Sequence, residues 1–477
     1  MRILLVEDNA DFAAEVEREV RSVQSCELVW VGSRDSALVR IEAGEPFDLM
    51  ILDRRIPTAD GVLDDQNEHG WRVFQALRTH SAGTPVWFLT ATEDADFAAE
   101  IANDYARSED LHGRGVPETM YRVFWKRRID HCVRTLREFA GHQAALERIA
   151  VQPDPPALTL EPHDIRTVRL FTGRHHGASV VIASLNGGLS NSRVLKVNVK
   201  AADGRGLITA AAKVASLVET TAEAERYRTE ISRLAPGGFP QLTEKIDAGA
   251  GNTGGLFYGL VGESVESLFD RIVAGDGNTS QVPGDLRRIL RPWYQAKRVE
   301  QLQVSRIRRR LIGDTALPEI TDYLEGIDTA VIENYTLTAA TSCQHGDLHC
   351  ANVVFAGRGG AMLIDFGDTG PSFAAVDPVT LELSTVFHSQ HVRLPSGWPR
   401  EENLHGWTDL DRFTDGCAFA PFVTACRDWA SAEAGSKDEV VAVAYAYAMR
   451  QLKYKDTDKQ LARALIEACA EHFIAAG

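Results

Sequence analysis

Four side chains within residues 343–368 have the types and spacing of a site for a metal ion and a phosphate. His345, Asp347 and Asn352 fall in an H-x-D-x-x-x-x-N loop, and Asp365 follows in Ile364-Asp365-Phe366-Gly367. Phosphoryl transfer asks a protein for positioning more than covalent chemistry: a carboxylate beside the attacking hydroxyl and oxygen ligands for a cation. Asp347 is spaced for the first task. Asn352 and Asp365 are placed for the second, because Mg²⁺ is a hard cation that takes oxygen donors. Residues 353–355 and 361–364 read as two short buried strands around the turn Gly357-Arg358-Gly359-Gly360, a hairpin that brings Asn352 and Asp365 to one end.

A second group of acids lies near the start of the chain. Apolar runs at residues 3–6, 27–31 and 47–52 alternate with helical patterns, the first of them carrying Phe12, Val16, Val20 and Val23 on one face. Strand, helix, strand repeated predicts a parallel sheet covered on both faces, with its site beyond the carboxyl ends of the strands. Glu7, Asp8 and Asp53 fall there, and three carboxylates held together are tolerable mainly around a cation such as Mg²⁺. Two further strand ends lead into Thr90 and Lys126.

The elements between and after these groups have to position them. The apolar pattern Ile129, Val133, Leu136, Ala140, Leu146, Ile149 predicts one long amphipathic helix that packs as core, pairs with a copy of itself, or carries a signal onward. Gln152-Pro153-Asp154-Pro155-Pro156 then breaks it and reads as a linker. Residues 179–185 and 193–199 read as strands flanking Asn186-Gly187-Gly188, a turn whose backbone N–H groups could approach phosphate oxygens. In the next strand Lys213 stands among Ala210, Ala211, Ala212 and Val214, where an unpaired cation is costly and an anionic partner is needed. Glu223, sharing a helix face with Tyr227, Ile231 and Leu234, is the first choice for that partner, and Glu225 the second. Residues 265–340 read as mostly helical, with Leu286, Ile289, Leu290 and Trp293 on one face and the basic run 306–310 as a solvated face. Tyr445, Tyr447 and Met449 read as core.

With these residues in view, two resemblances cover nearly the whole chain. His345-Gly346-Asp347-Leu348-His349, Asn352 and Ile364-Asp365-Phe366 resemble, position by position, the loop of the aminoglycoside phosphotransferase and choline kinase family, relatives of the protein kinases. The resemblance implies ATP or GTP with Mg²⁺. It also implies Asp347 as the catalytic aspartate with His345 in support, Asn352 and Asp365 as metal ligands, and Lys213 with the Gly187-Gly188 turn on the phosphates. Lys213 would be held by the helical glutamate, and Asp377 would be a second aspartate bracing the loop. Residues 255–264 resemble the family's strand into the hinge between lobes, and residues 368–382 resemble the ternary complex-associated branch. The front of the chain resembles the receiver domain of two-component signalling. That implies Glu7 and Asp8 as metal ligands and Asp53 as ligand and phosphoacceptor. Thr90 would follow the phosphoryl group, Lys126 would be its counter-charge, and Pro57 also fits. Arg127 stands where proline is usual and Val123 where an aromatic is usual, and polar insertions occupy residues 59–69 and 108–118.

The expected fold is therefore an α/β receiver with a five-stranded parallel doubly wound sheet at residues 1–150, and a linker at 151–165. A two-lobed α+β protein-kinase-like domain follows, its small lobe at 166–262 and its large, helical lobe at 263–477. The expected function is a cytoplasmic phosphorelay response regulator coupled to an ATP-dependent phosphotransferase with a hydroxyl or amine acceptor. The alternative is a non-catalytic signalling scaffold. Expected partners are a sensor histidine kinase or other phosphodonor, the acceptor, and a second copy of the chain through the receiver or its long helix. The remaining composition agrees. The 477 residues are 44% hydrophobic and 25% charged, as in an ordinary globular protein with several cores. A net charge of -16 opposes nonspecific binding to nucleic acid or anionic membrane. Seven cysteines without C-x-x-C spacing read as reduced thiols, Cys343 and Cys350 among them as small fillers. The first residues do not read as a signal peptide, and no apolar run reaches the roughly 18 residues of a membrane span.

Overall fold

The computed structural model describes residues 1–23, 26–91, 95–184, 193–259, 265–356 and 359–476. They divide into two compact units, residues 1–224 with 241–260, and residues 225–240 with 261–477.

The first unit opens with five parallel strands in the spatial order Glu27–Val31, Arg2–Val6, Leu49–Leu52, Val86–Thr90, Tyr121–Trp125. The continuous apolar runs of its central strands are buried throughout, as a sheet covered on both faces requires. The helix Ala10–Arg21 starts where the Asn9 side chain accepts from the Phe12 amide, directly after the acidic pair. Its apolar side turns Ala13, Val16 and Val20 onto the sheet. The helix Ile129–Glu147 is the long one the periodicity predicts. Leu136 and Phe139 join the core of the parallel sheet, while Leu146, near its end, joins the core of the following sheet.

That following sheet has six strands, in the order Leu242–Ile246, Thr253–Gly259, Gly206–Ser216, Arg193–Lys200, Ser179–Ser184, Ala150–Asp154. Its last member corrects the expected linker: Ala150–Asp154 pairs in parallel with Ser179–Ser184. Prolines are tolerated on such an edge strand, whose outer side needs no amide donors. The helix Pro162–Arg174 covers the sheet, with Phe171 stacked on Phe257 at 3.9 Å between ring centroids.

The second unit is mostly helical around two small antiparallel sheets. One pairs Val265–Ser267, Val353–Ala356 and Ala361–Leu363; the other pairs Arg298–Gln303, Thr336–Gln344 and Gly370–Phe373. Strand Arg298–Gln303 interrupts the expected helical stretch. It buries only Leu302, so it carries no alternating apolar signal. The helix Val282–Tyr294 buries Leu286, Leu290 and Trp293 as expected, and Lys437–Gln451 buries Tyr445, Tyr447 and Met449. The basic run departs from expectation at one position. Arg308 is buried, held by Glu333 at 2.9 Å and Asp314 at 2.5 Å, while Arg306 and Arg309 are exposed. Among the described residues no helix is long and apolar enough to cross a membrane, and all seven cysteines are free.

Candidate functional site

At the carboxyl ends of the parallel strands, Glu7, Asp8 and Asp53 place one carboxylate oxygen each within 4.8 Å of one another. Adjacent parallel strands bring them there: Val6 pairs with Leu52, and the Asp53 amide donates to the Val6 carbonyl at 2.8 Å. Lys126 reaches in from the end of the last strand. Its Nζ lies 2.7 Å from Asp53 Oδ2 and 2.8 Å from Glu7 Oε1. Thr90 ends the neighbouring strand, in register with Trp125. Glu7 is fully buried, and burial together with the Asp53 charge pushes its pKa up to about 7. Burial also raises Asp53, against the pull of Lys126. Burial pulls Lys126 down, but Asp53 and Glu7 outweigh it and leave it raised. One ammonium thus serves two buried acids with a third beside them, and an added divalent cation suits that donor set of oxygens. Trp30 was not foreseen: its indole N–H donates to the Glu7 carbonyl at 2.7 Å, so a ring sits against the acidic turn.

Within the six-stranded sheet and its helix, Lys213 Nζ pairs with Glu223 Oε2 at 2.8 Å, both largely buried. Tyr258 donates its hydroxyl to the other Glu223 oxygen at 2.8 Å. Glu225, the second choice, is exposed and pairs with Arg228. The Gly187-Gly188 turn lies outside the described residues, as do residues 260–264 of the expected hinge.

In the second unit the loop after strand Thr336–Gln344 holds the remaining group. Val353 pairs with Leu363, and the Ile364 amide donates to the Asn352 carbonyl at 3.0 Å. Asn352 and Asp365 therefore sit at one end of the hairpin, as its spacing predicts. Asp365 adopts φ +61°, which re-aims its side chain relative to the strand before it. Asn352 is buried and its side-chain amide donates to the Asp347 carbonyl at 2.9 Å, which ties the two ends of the loop together. Asp377 is fully buried and accepts from the His345 amide at 2.7 Å and the Gly346 amide at 2.9 Å. Gly346 has φ +86°, and a Cβ there would meet the Asp368 carbonyl at 2.6 Å, so the loop admits glycine alone. His345 is buried, with Nε2 2.9 Å from the Ile364 carbonyl, linking the loop to the second strand of the hairpin.

Asp347 itself is partly exposed. Its Oδ1 accepts from Arg450 Nη2 at 3.0 Å, and its Oδ2 lies 3.5 Å from His349 Nε2. The His349 ring lies against His388, 4.5 Å between centroids. Burial and then the neighbouring His349 lower His388 to about 4. Arg450 stands 103 residues beyond Asp347 in an otherwise apolar helical stretch, and no signal in the sequence points to it. Burial lowers its pKa, but Asp347 outweighs that and leaves it raised.

Residues 3–108 match the response regulator receiver domain family, and residues 181–387 match the phosphotransferase enzyme family. The chain joins a receiver domain to a phosphotransferase-family domain. The chain is also similar, at low identity, to solved structures. A response regulator receiver protein from Sinorhizobium medicae is 17% identical, covering 29% of this chain and 96% of its own, with a TM-score of 0.21. A choline kinase from Streptococcus pneumoniae is 12% identical, covering 63% and 94%, with a TM-score of 0.35. A macrolide 2'-phosphotransferase from Brachybacterium faecium is 12% identical, covering 57% and 85%, with a TM-score of 0.29. No curated protein matches the chain. The receiver domain carries the five-stranded parallel sheet, and the phosphotransferase-family part is a sheet-plus-helix, kinase-like domain.

Proposed function

We propose that this chain is a response regulator in which phosphorylation of Asp53 controls an ATP-dependent phosphotransferase. Asp347 would orient the acceptor hydroxyl or amine, Asn352 and Asp365 would hold Mg²⁺, and Lys213, fixed by Glu223, would meet the nucleotide phosphates. The residue types suit the cation: Asn352 and Asp365, both able to offer oxygen, stand at one end of the hairpin, and the loop before Asn352 is held by the His345 and Gly346 amides on Asp377. Bound there, the metal would neutralise charge on the transferring phosphoryl group. In the receiver, Glu7, Asp8 and Asp53 would hold a second Mg²⁺. Phosphorylated Asp53 would compete with Glu7 for Lys126 and draw on Thr90. A sensor histidine kinase or another phosphodonor would supply the phosphoryl group, and GTP could replace ATP. The setting we propose is the bacterial cytoplasm.

The acceptor side has a chemical bias. A depression of about 280 Å³ beside the loop is lined by Arg310, Arg450 and Lys453, with Asp368 as its carboxylate. With Arg450 paired to Asp347, Arg310 and Lys453 still outnumber Asp368, and this excess of positive charge would favour an acceptor that carries negative charge over a polycation. The observation that supports the reading is that Asp347 and Asn352 share one braced loop, tied by the Asn352 side-chain amide to the Asp347 carbonyl at 2.9 Å, and that Asp365 follows the hairpin strand paired to the one after Asn352. ATP consumption with Mg²⁺ tests it, measured with hydroxylated anions and with polycationic aminoglycosides as acceptors, before and after treatment with a small acyl phosphate. Asp347→Ala should abolish product formation while retaining ATP binding, and turnover in that variant refutes the assignment. The Arg450–Asp347 ion pair favours a second reading, a non-catalytic platform in which Asp347 stays engaged. Absence of Mg-ATP binding by calorimetry leaves only that one.

A further inference from the structure

Outside the acidic turn, the receiver part holds a second cluster of ligating side chains, on the insertion that precedes its last strand. Strands Ser108–Glu109 and Glu118–Thr119 pair as a short hairpin, and the loop between them carries His112. His112 Nδ1 lies 2.6 Å from Glu118 Oε1, and His142 Nδ1, from the helix Ile129–Glu147, lies 3.8 Å from the same oxygen. One ligating atom from each of the three lies within 4.8 Å of the others. The His112 side chain is fully buried. His142 Nδ1, which faces the same Glu118 oxygen as His112 Nδ1, is buried without a hydrogen-bond partner, and a buried polar atom left unpaired is costly.

We propose that His112, Glu118 and His142 form a transition-metal site, with Zn²⁺ as the fitting ion and a water as fourth ligand. Two imidazoles and one carboxylate form a donor set that suits Zn²⁺ better than Mg²⁺, which distinguishes this cluster from the all-oxygen group at Asp53. The ligands need only small movement. Bonds of about 2.0–2.2 Å in a tetrahedron set neighbouring ligands about 3.3 Å apart, so Glu118 would withdraw from His112 by several tenths of an ångström. His142 would close on the same point.

The position gives such an ion a structural consequence. Asp110, two residues before His112, accepts from the amides of His112, Arg114 and Gly115, and its carboxylate lies 3.2 Å from Arg174 Nε on the helix covering the six-stranded sheet. Gly113, at φ +65°, lets the insertion touch that helix: a Cβ there would meet the Leu170 carbonyl at 2.5 Å. A cation bridging the insertion to His142 would therefore fix one of the segments through which the receiver part touches the helix Pro162–Arg174 over the six-stranded sheet, independently of whether the phosphotransferase reading holds.

The test uses the full chain, freed of metal and then equilibrated with millimolar Mg²⁺ to occupy oxygen-donor sites. Zn²⁺ uptake is measured by metal analysis after gel filtration, and Co²⁺ uptake by its visible spectrum. One Zn²⁺ per chain and a tetrahedral Co²⁺ spectrum are expected. His142→Ala, at a partly exposed position where folding should survive, should weaken binding by more than the roughly 10–100-fold that loss of an outer-sphere partner costs. Glu118→Gln should do likewise. No uptake above that of the Mg²⁺-saturated protein overturns the proposal and leaves a direct His112–Glu118 pair. Uptake that His142→Ala and Glu118→Gln leave unchanged also overturns it, placing the ion elsewhere, such as on the free thiols.

Discussion

Replacing Asp377 by alanine removes the acceptor of two buried backbone donors at once, the His345 and Gly346 amides, at 2.7 and 2.9 Å. A buried donor left unpaired costs about 1–3 kcal/mol. Against this, burial raises the pKa of Asp377, so the carboxylate is itself held at a cost that alanine relieves. The net destabilisation should fall in the lower half of the range for two donors, about 2–4 kcal/mol. For a unit of this size that corresponds to a fall of about 5–15 °C in the melting temperature. Because the two amides precede Asp347 directly, the loop carrying it should loosen, and nucleotide-dependent turnover should fall more than ATP affinity. Asp377→Asn keeps one acceptor oxygen and should lie between alanine and wild type in both measurements. Scanning calorimetry paired with a turnover assay separates the outcomes. If Asp377→Ala melts and turns over like the wild type, the loop is held by something other than this carboxylate and the account of the site is wrong.

Three further outcomes follow from the ion pairs. Glu7 is raised from 4.5 to about 7, so the metal-free native state binds the proton more tightly than the unfolded one. Its stability should fall as pH rises from about 4.5 to about 7, by about 3 kcal/mol at 1.36 kcal/mol per unit. Hydrogen exchange of the parallel strands checks this, and Glu7→Gln should flatten the slope. Lys213→Met leaves Glu223 buried and uncompensated, and should cost about 3–5 kcal/mol; a Lys213→Met/Glu223→Gln double variant should recover much of it in denaturant unfolding without recovering ATP affinity. Arg450→Gln removes a charge-assisted hydrogen bond worth about 1.5–3 kcal/mol, and should raise the KM for an anionic acceptor while leaving that for ATP unchanged in steady-state kinetics.

What the sequence displayed was whatever repeats at short range. The parallel strands are continuous apolar runs, and the loop with Asp347, Asn352 and Asp365 is one local motif whose hairpin fixes its own geometry. Lys213 was conspicuous because a lone charge in a strand of small residues must find a partner. The helical face placed Glu223 ahead of Glu225, and the ion pair agrees. Arg450 was invisible because its meaning depends on a fold that carries it across 103 residues to Asp347. Strand Ala150–Asp154 read as a linker because prolines mask an edge strand, and Arg298–Gln303 was lost because only one of its side chains is buried. Glu439 gave no signal either, although it is buried and accepts from the amides of Ala340, Ala375 and Gly435. Its partners are backbone groups, which no residue type announces.

The long helix bears on how a change at Asp53 could travel. Read from its periodicity alone, it could pair with a copy of itself. Its apolar positions are instead spent internally: Leu136 and Phe139 lie in the core of the parallel sheet and Leu146 in that of the next. Arg166 adds ion pairs to Glu147 at 3.2 Å and to Asp48 at 3.1 Å. A second connection runs through glycines, where the Gly83 amide donates to the Gly251 carbonyl and the Gly249 amide to the Gly83 carbonyl, both at 2.9 Å. Arg107 donates to the Asp247 carbonyl at 2.9 Å. The receiver sheet and the six-stranded sheet are thus joined by a continuous helix and by paired backbone, with no slack segment between them. Lys126 opens the short helical turn Lys126–Arg128 that leads into that helix, so under the proposed function a phosphoryl group recruiting its ammonium would act next to the start of a rigid element. Coupling through packed elements of this kind needs two discrete arrangements. A substitution at Gly83, where a Cβ would meet the Gly251 carbonyl at 2.5 Å, should therefore uncouple acyl-phosphate treatment from ATP consumption while both activities persist separately. If Gly83→Val leaves the response intact, the signal does not pass through the paired backbone, and the helix alone remains to carry it.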